Sequence, residues 1–68
     1  MSPFDQVSVV ELADRQSEDY DVALLWARRT NRLWVRIVDR HSGHASRIDA
    51  TRSNALDVFR HPFAYERV

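Results

Sequence analysis

The spacing of apolar residues along the chain changes once, and that change divides it. Residues 7–13, Val-Ser-Val-Val-Glu-Leu-Ala, have strand composition, and residues 14–21 are polar and acidic, as in a loop between paired strands. Residues 22–29 and 32–40 are rich in aliphatic and aromatic side chains and predict a second and a third strand. His41-Ser42-Gly43-His44 supplies the next turn, with the only glycine of the chain where a positive φ is most useful, and residues 44–48 predict a short fourth strand. From residue 50 the period lengthens. Ala55, Leu56, Val58 and Phe59 fall on one face of a short helix, with Ser53 or Asn54 as N-cap and Asp57 in the first turn, where its charge suits the helix dipole. Pro62 ends that helix near Arg60 and opens a second helical turn through Phe63, Ala64 and Tyr65.

These elements predict an α+β fold: a three- to four-stranded antiparallel meander with one short C-terminal helix packed on one face. The chain reads as a single small domain, with residues 1–6 as a loose leader, 7–48 as the sheet and 50–66 as the helical segment.

The central hairpin sorts the side chains. A two-residue turn at Thr30-Asn31 places Val22, Leu24, Trp26, Leu33, Val35 and Ile37 on one face and Ala23, Leu25, Ala27, Trp34, Arg36 and Val38 on the other. A three-residue turn with Asn31 in the left-handed region swaps the faces of the later strand. Both alternatives keep Leu33, Val35 and Ile37 together, and both keep Trp34, Arg36 and Val38 together on the reverse. One short helix covers one sheet face and not two. The reverse face, with Trp34, Arg36, Val38 and Leu25, is therefore the candidate interface, because burying each large apolar side chain is worth roughly 1.5–3 kcal/mol. A second copy packed sheet against sheet is the simplest cover, and a homodimer or a protein partner is expected. The alternative is cover from the N-terminal leader or from Phe63 and Tyr65.

Charge adds a second expectation. The chain has ten Arg, no Lys and ten acids, a formal net charge of zero. Residues 1–21 hold six acids and one base, and residues 28–47 hold six bases and one acid. Neutrality is thus an average over an acidic leader and a basic hairpin. Arg28, Arg29, Arg32, Arg36 and Arg40 beside Trp34 supply phosphate neutralisation and a stacking platform, so nucleic-acid binding is the alternative function. Equally, the acidic segment pairs with the hairpin and neutralises it within the fold.

Other chemistry finds little support. With no Cys, disulfides, thiolate metal sites and a cysteine nucleophile are excluded. His41-x-x-His44 has metal-like spacing, and His61 is a third imidazole, but turn histidines beside Ser-Gly read as solvent-exposed, and no metal or other cofactor is expected. One isolated glycine makes no phosphate loop, no apolar pocket surrounds the acids, and no catalytic residue is assigned. The expected function is a small non-enzymatic protein-interaction or regulatory module, self-associating through one sheet face. The longest apolar run, Val22 to Ala27, is too short to span a bilayer, and the N-terminus lacks the pattern of a signal peptide. A cytoplasmic, non-membrane protein is expected.

Residues 55–65, Ala-Leu-Asp-Val-Phe-Arg-His-Pro-Phe-Ala-Tyr, preceded by Leu33-Trp34-Val35-Arg36-Ile37-Val38-Asp39 and Ser42-Gly43, carry one resemblance. The segment resembles the C-terminal signature Ala-Leu-x-Val-Phe-x-His-Pro-Phe-Ala-Tyr of small uncharacterised actinobacterial proteins. The likeness covers residues 22–65 and is specific in the last eleven. It implies the same order of elements and a bacterial cytoplasmic setting, and it brings no catalytic or binding residues with it. On their own chemistry, Phe59 should anchor the helix, Phe63 and Tyr65 should close the edge of the core, and His61 should bond a free helix-end carbonyl.

Overall fold

The computed structural model describes residues 8–65. Four strands form one open antiparallel sheet in the order of the sequence: β1 (Val9–Gln16), β2 (Tyr20–Ala27), β3 (Arg32–Asp39) and β4 (Ala45–Ala50). Two short helices follow, α1 (Ala55–Arg60) and α2 (Pro62–Tyr65). The expected leader 1–6, Val7 at the start of the expected sheet and Glu66 at the end of the expected helical segment lie outside the described residues.

The alternation of β2 and β3 builds the core. Val22 faces Ile37, Leu24 faces Val35 and Trp26 faces Leu33 across the central ladder. Val22, Leu24, Val35 and Ile37 are buried against Ala55 and Val58 of α1, and Val35 and Val58 lose all contact with solvent. Pro62 at the start of α2 is fully buried as well. Ala13, Ile48 and Ala50 extend this layer to the outer strands.

The β2–β3 turn differs from both alternatives. Ala27 pairs with Arg32, so residues 28–31 form a four-residue loop and the register shifts by two from the two-residue expectation. An even shift leaves every side chain on its expected face. Asn31 takes φ +56°, and its Oδ1 accepts a hydrogen bond from Trp26 Nε1 at 3.0 Å. The longer loop therefore carries a left-handed residue whose side chain ties the turn to the strand behind it.

The first hairpin is also longer in its strands and tighter in its turn than its polarity suggests. Asp14, Arg15 and Gln16 belong to β1, and Tyr20 and Asp21 to β2. Only residues 17–19 connect them, and Ser17 closes the turn, its N–H donating to Tyr20 O at 2.9 Å and its Oγ accepting from Tyr20 N at 3.1 Å. Asp14, Arg15 and Gln16 sit in a strand because β1 is an edge, where side chains reach water on most sides. β1 carries a bulge between Glu11 and Ala13, which leaves Leu12 half-exposed.

In the β3–β4 turn, Gly43 has φ +77° as the turn requires, and its N–H donates to Asp39 O at 2.8 Å. Asn54 is the N-cap of α1, but its side chain makes no capping bond. Its Oδ1 instead accepts from Thr51 N at 2.7 Å and tightens the loop before the helix. Leu56 departs from its expected burial and is 61% exposed, because Ala55 and Val58 face the sheet and place position 56 outward. Phe59 is half-buried, with the Arg15 guanidinium 5.5 Å above its ring, while Arg15 Nη2 donates to Arg60 O at 3.0 Å. The helix end is thus held by Arg15 and by the backbone N–H of His61, which donates to Asp57 O at 2.8 Å, rather than by an imidazole. Tyr65 packs against the core and donates to Asp57 Oδ2, which raises the phenol pKa by stabilising its protonated form. Phe63 is largely exposed, but its ring meets Tyr20 edge-on at 4.9 Å.

Candidate interaction surface

Both described helices lie on the Val35 side of the sheet. The reverse side is built from the alternate positions of all four strands. Glu11, Leu25, Trp34 and Asp49 form one row across it; Asp14, Ala23, Arg36 and Arg47 form the next; Gln16, Asp21, Val38 and Ala45 form a third. All four expected interface residues, Trp34, Arg36, Val38 and Leu25, share this face.

Their exposure is uneven, and the reason is local. Ala23 and Leu25 are 6% and 8% exposed although they face away from the helices. They lie on a central strand between long side chains from both neighbours, so they form the floor of the face and not its contacting surface. Trp34 and Val38 are half-buried and Arg36 is exposed. The Arg47 guanidinium stacks 4.5 Å from the centre of the Trp34 ring, and its Nε lies 3.2 Å from Asp49 Oδ1. Part of the apolar surface that the sequence leaves open is therefore covered from within by Arg47.

At one end of the sheet the basic hairpin closes onto the acidic turn. Arg40 reaches the first hairpin: its N–H donates to Asp19 O at 2.8 Å, its Nη1 donates to Ser17 O at 3.0 Å, and the same Nη1 lies 3.6 Å from Asp21 Oδ1. That last separation is an ion-pair distance, and the buried Asp21 Oδ1 has no hydrogen-bond partner among the described residues. His41 Nε2 lies 2.9 Å from Asp19 Oδ1. Asp39 accepts from the N–H groups of His41 and Ser42, which hold its carboxyl below the usual carboxylate range. His41 is thus a partner of the acidic turn. His44 is exposed, its N–H bonded to Ser42 Oγ, and His61 stands apart in the helical segment. Among the described residues no group of three or more His, Asp or Glu is placed to hold a metal ion.

The opposite end is basic. Arg28, Arg29 and Arg32 surround the β2–β3 loop, and among the described residues Arg28, Arg32, Arg36 and Arg52 form no ion pair with a carboxylate. An open groove of about 580 Å³ lies there, lined by Arg32, Arg52, Asp49, Asn31, Thr51 and Ser53 over Leu33 and Ala50. Of the five expected nucleic-acid residues, Arg28, Arg29 and Arg32 share this end, Arg36 lies on the reverse face, and Arg40 is engaged at the far end.

The residues that the expected site left out are those of β4. Composition marks only residues 44–48 as strand, which leaves Asp49 outside it and apart from Arg47. The alternation of Ala45, Arg47 and Asp49 with Ser46, Ile48 and Ala50 is the signal that places both charges on one face of one strand.

The chain matches no protein-family model, no curated protein and no solved structure. Among the described residues, no helix is long and apolar enough to cross a membrane.

Proposed function

We propose that the chain is a small non-enzymatic protein-interaction module that self-associates through its open sheet. The observation that carries this reading is the open sheet, with no described helix on its reverse face and no described strand beyond β4. The described helices cover one face only, and the other presents Trp34 and Val38 above Ala23 and Leu25, flanked by acids on β1 and β2 and by Arg36 and Arg47 on β3 and β4. Trp34 and Val38 keep part of their apolar surface on a face that no described helix covers, and a partner that buries such surface gains from it. A domain of this size without disulfides also gains stability from association. A bacterial cytoplasmic setting is part of the same reading and rests on the resemblance of residues 55–65. Light scattering across a concentration series tests self-association: the mass should rise to twice that of one chain in the high-micromolar range, and a constant single-chain mass overturns the reading.

A second reading, nucleic-acid binding, is supported by the basic end of the sheet with its open groove. Single-stranded DNA or RNA should then bind with an affinity that falls steeply as salt rises, and Arg28→Ala with Arg32→Ala should weaken it more than Arg40→Ala. No binding at low salt removes this reading.

A further inference from the structure

We infer that the surface joining two copies is the outer edge of β4, paired antiparallel to itself with Ile48 on the two-fold axis. The inference rests on the reading that the chain self-associates, and it replaces the reverse face as the site of that contact.

The sheet has two edges, and they differ. β1 is bulged at Leu12, which twists the strand and interrupts the regular ladder that a further strand needs. β4 pairs with β3 without a register shift from Ala45 to Ala50, contains neither proline nor glycine, and has no strand on its other side among the described residues.

The direction of its backbone groups follows from one hydrogen bond. Asp39 N donates to His44 O at 2.8 Å, so the main chain at position 44 points toward β3. Backbone groups alternate along a strand, so Ser46, Ile48 and Ala50 also point inward, and Ala45, Arg47 and Asp49 point outward. The N–H and C=O groups of Arg47 and Asp49 are therefore the donors and acceptors of the edge.

Symmetry and charge then select the register. Centred on Arg47, a two-fold pairing sets Arg47 against Arg47; centred on Asp49, it sets Asp49 against Asp49. Centred on Ile48, it sets each Arg47 against Asp49 of the second copy. Both of these residues point outward, so each such pair exchanges two main-chain hydrogen bonds, while Ile48 meets Ile48 at a non-hydrogen-bonded position where side chains approach most closely. Arg47 and Asp49 already lie on one face, 3.2 Å apart within the strand, and pairing trades that local contact for two cross-strand ones. The half-buried Ile48 lies on the core side and continues the apolar layer across the junction. The product is one continuous eight-stranded sheet, and Arg47 and Asp49 exclude edges that lack the complementary charges.

Charge reversal tests this, with circular dichroism confirming that each variant folds. Arg47→Asp and Asp49→Arg should each raise the dimer dissociation constant by roughly tenfold to a hundredfold, because like charges then face each other twice. The double variant Arg47→Asp/Asp49→Arg should restore the dimer. Val38→Asn, which removes apolar surface from the reverse face without adding a charge or touching the Trp34 ring beneath Arg47, should leave the mass unchanged. Dimers insensitive to either single reversal, or lost only in Val38→Asn, overturn the edge pairing and leave self-association through the reverse face standing. A wild-type chain that stays monomeric overturns both.

Discussion

Leu24→Ala is expected to leave most of the protein unfolded at 25 °C. Leu24 is 4% exposed and lies in the middle of β2, opposite Val35 on one side and Ala13 on the other. The layer above it is thin, a six-residue helix contributing Ala55 and Val58. Truncating a buried Leu costs about 2–5 kcal/mol, because the cavity adds to the lost transfer energy. A small domain without disulfides seldom has more than about 3–5 kcal/mol in total. The variant should therefore lose most of its folded signal in circular dichroism without denaturant. A wild-type urea midpoint for Leu24→Ala would mean that the Val35 side is not the core.

Asn31→Val is expected to cost about 2–3 kcal/mol although Asn31 is exposed. Two effects add. The left-handed backbone at φ +56° costs an L-residue with a side chain about 1–2 kcal/mol, most for a β-branched one. The Trp26 Nε1 bond, worth about 1 kcal/mol, is lost as well. Asn31→Gly relieves the backbone and loses only the bond, so its urea midpoint should fall between wild type and Asn31→Val. Equal midpoints for the two variants would remove the backbone contribution.

Much of this architecture is legible in the residues. Alternation through β2 and β3 assigns every side chain of the central hairpin to its correct face, even though the turn is two residues longer than Thr30-Asn31. The faces survive because the error is even, and a one-residue error would have inverted one strand. Polar edge positions are harder. Asp14 to Gln16 resemble a loop because edge strands are solvated, and composition does not separate a solvated strand from a turn. The helix shows the same limit in reverse: Leu56 looks buried by hydropathy, yet Ala55, Val58 and part of Phe59 meet the core and position 56 turns outward, since a six-residue helix has room for one narrow contact stripe.

The candidate surface was legible only in part. Trp34, Arg36, Val38 and Leu25 do share the reverse face. Their protection depends on tertiary neighbours that no periodicity reveals: Leu25 sinks between flanking strands, and Arg47 lies over Trp34. The split between an acidic leader and a basic hairpin resolves into geometry. Arg40 and His41 close onto the acidic turn, while Arg28 and Arg32 remain at the other end, about one strand length away.

Amide hydrogen exchange at β4 reads the edge pairing most directly. In the high-micromolar range the N–H groups of Arg47 and Asp49 should exchange slowly, alongside those of Ile48 and Ala50, which bond to β3 in either state. On dilution, Arg47 and Asp49 should become fast while Ile48 and Ala50 stay protected. Rapid exchange of Arg47 and Asp49 at every concentration would contradict the pairing.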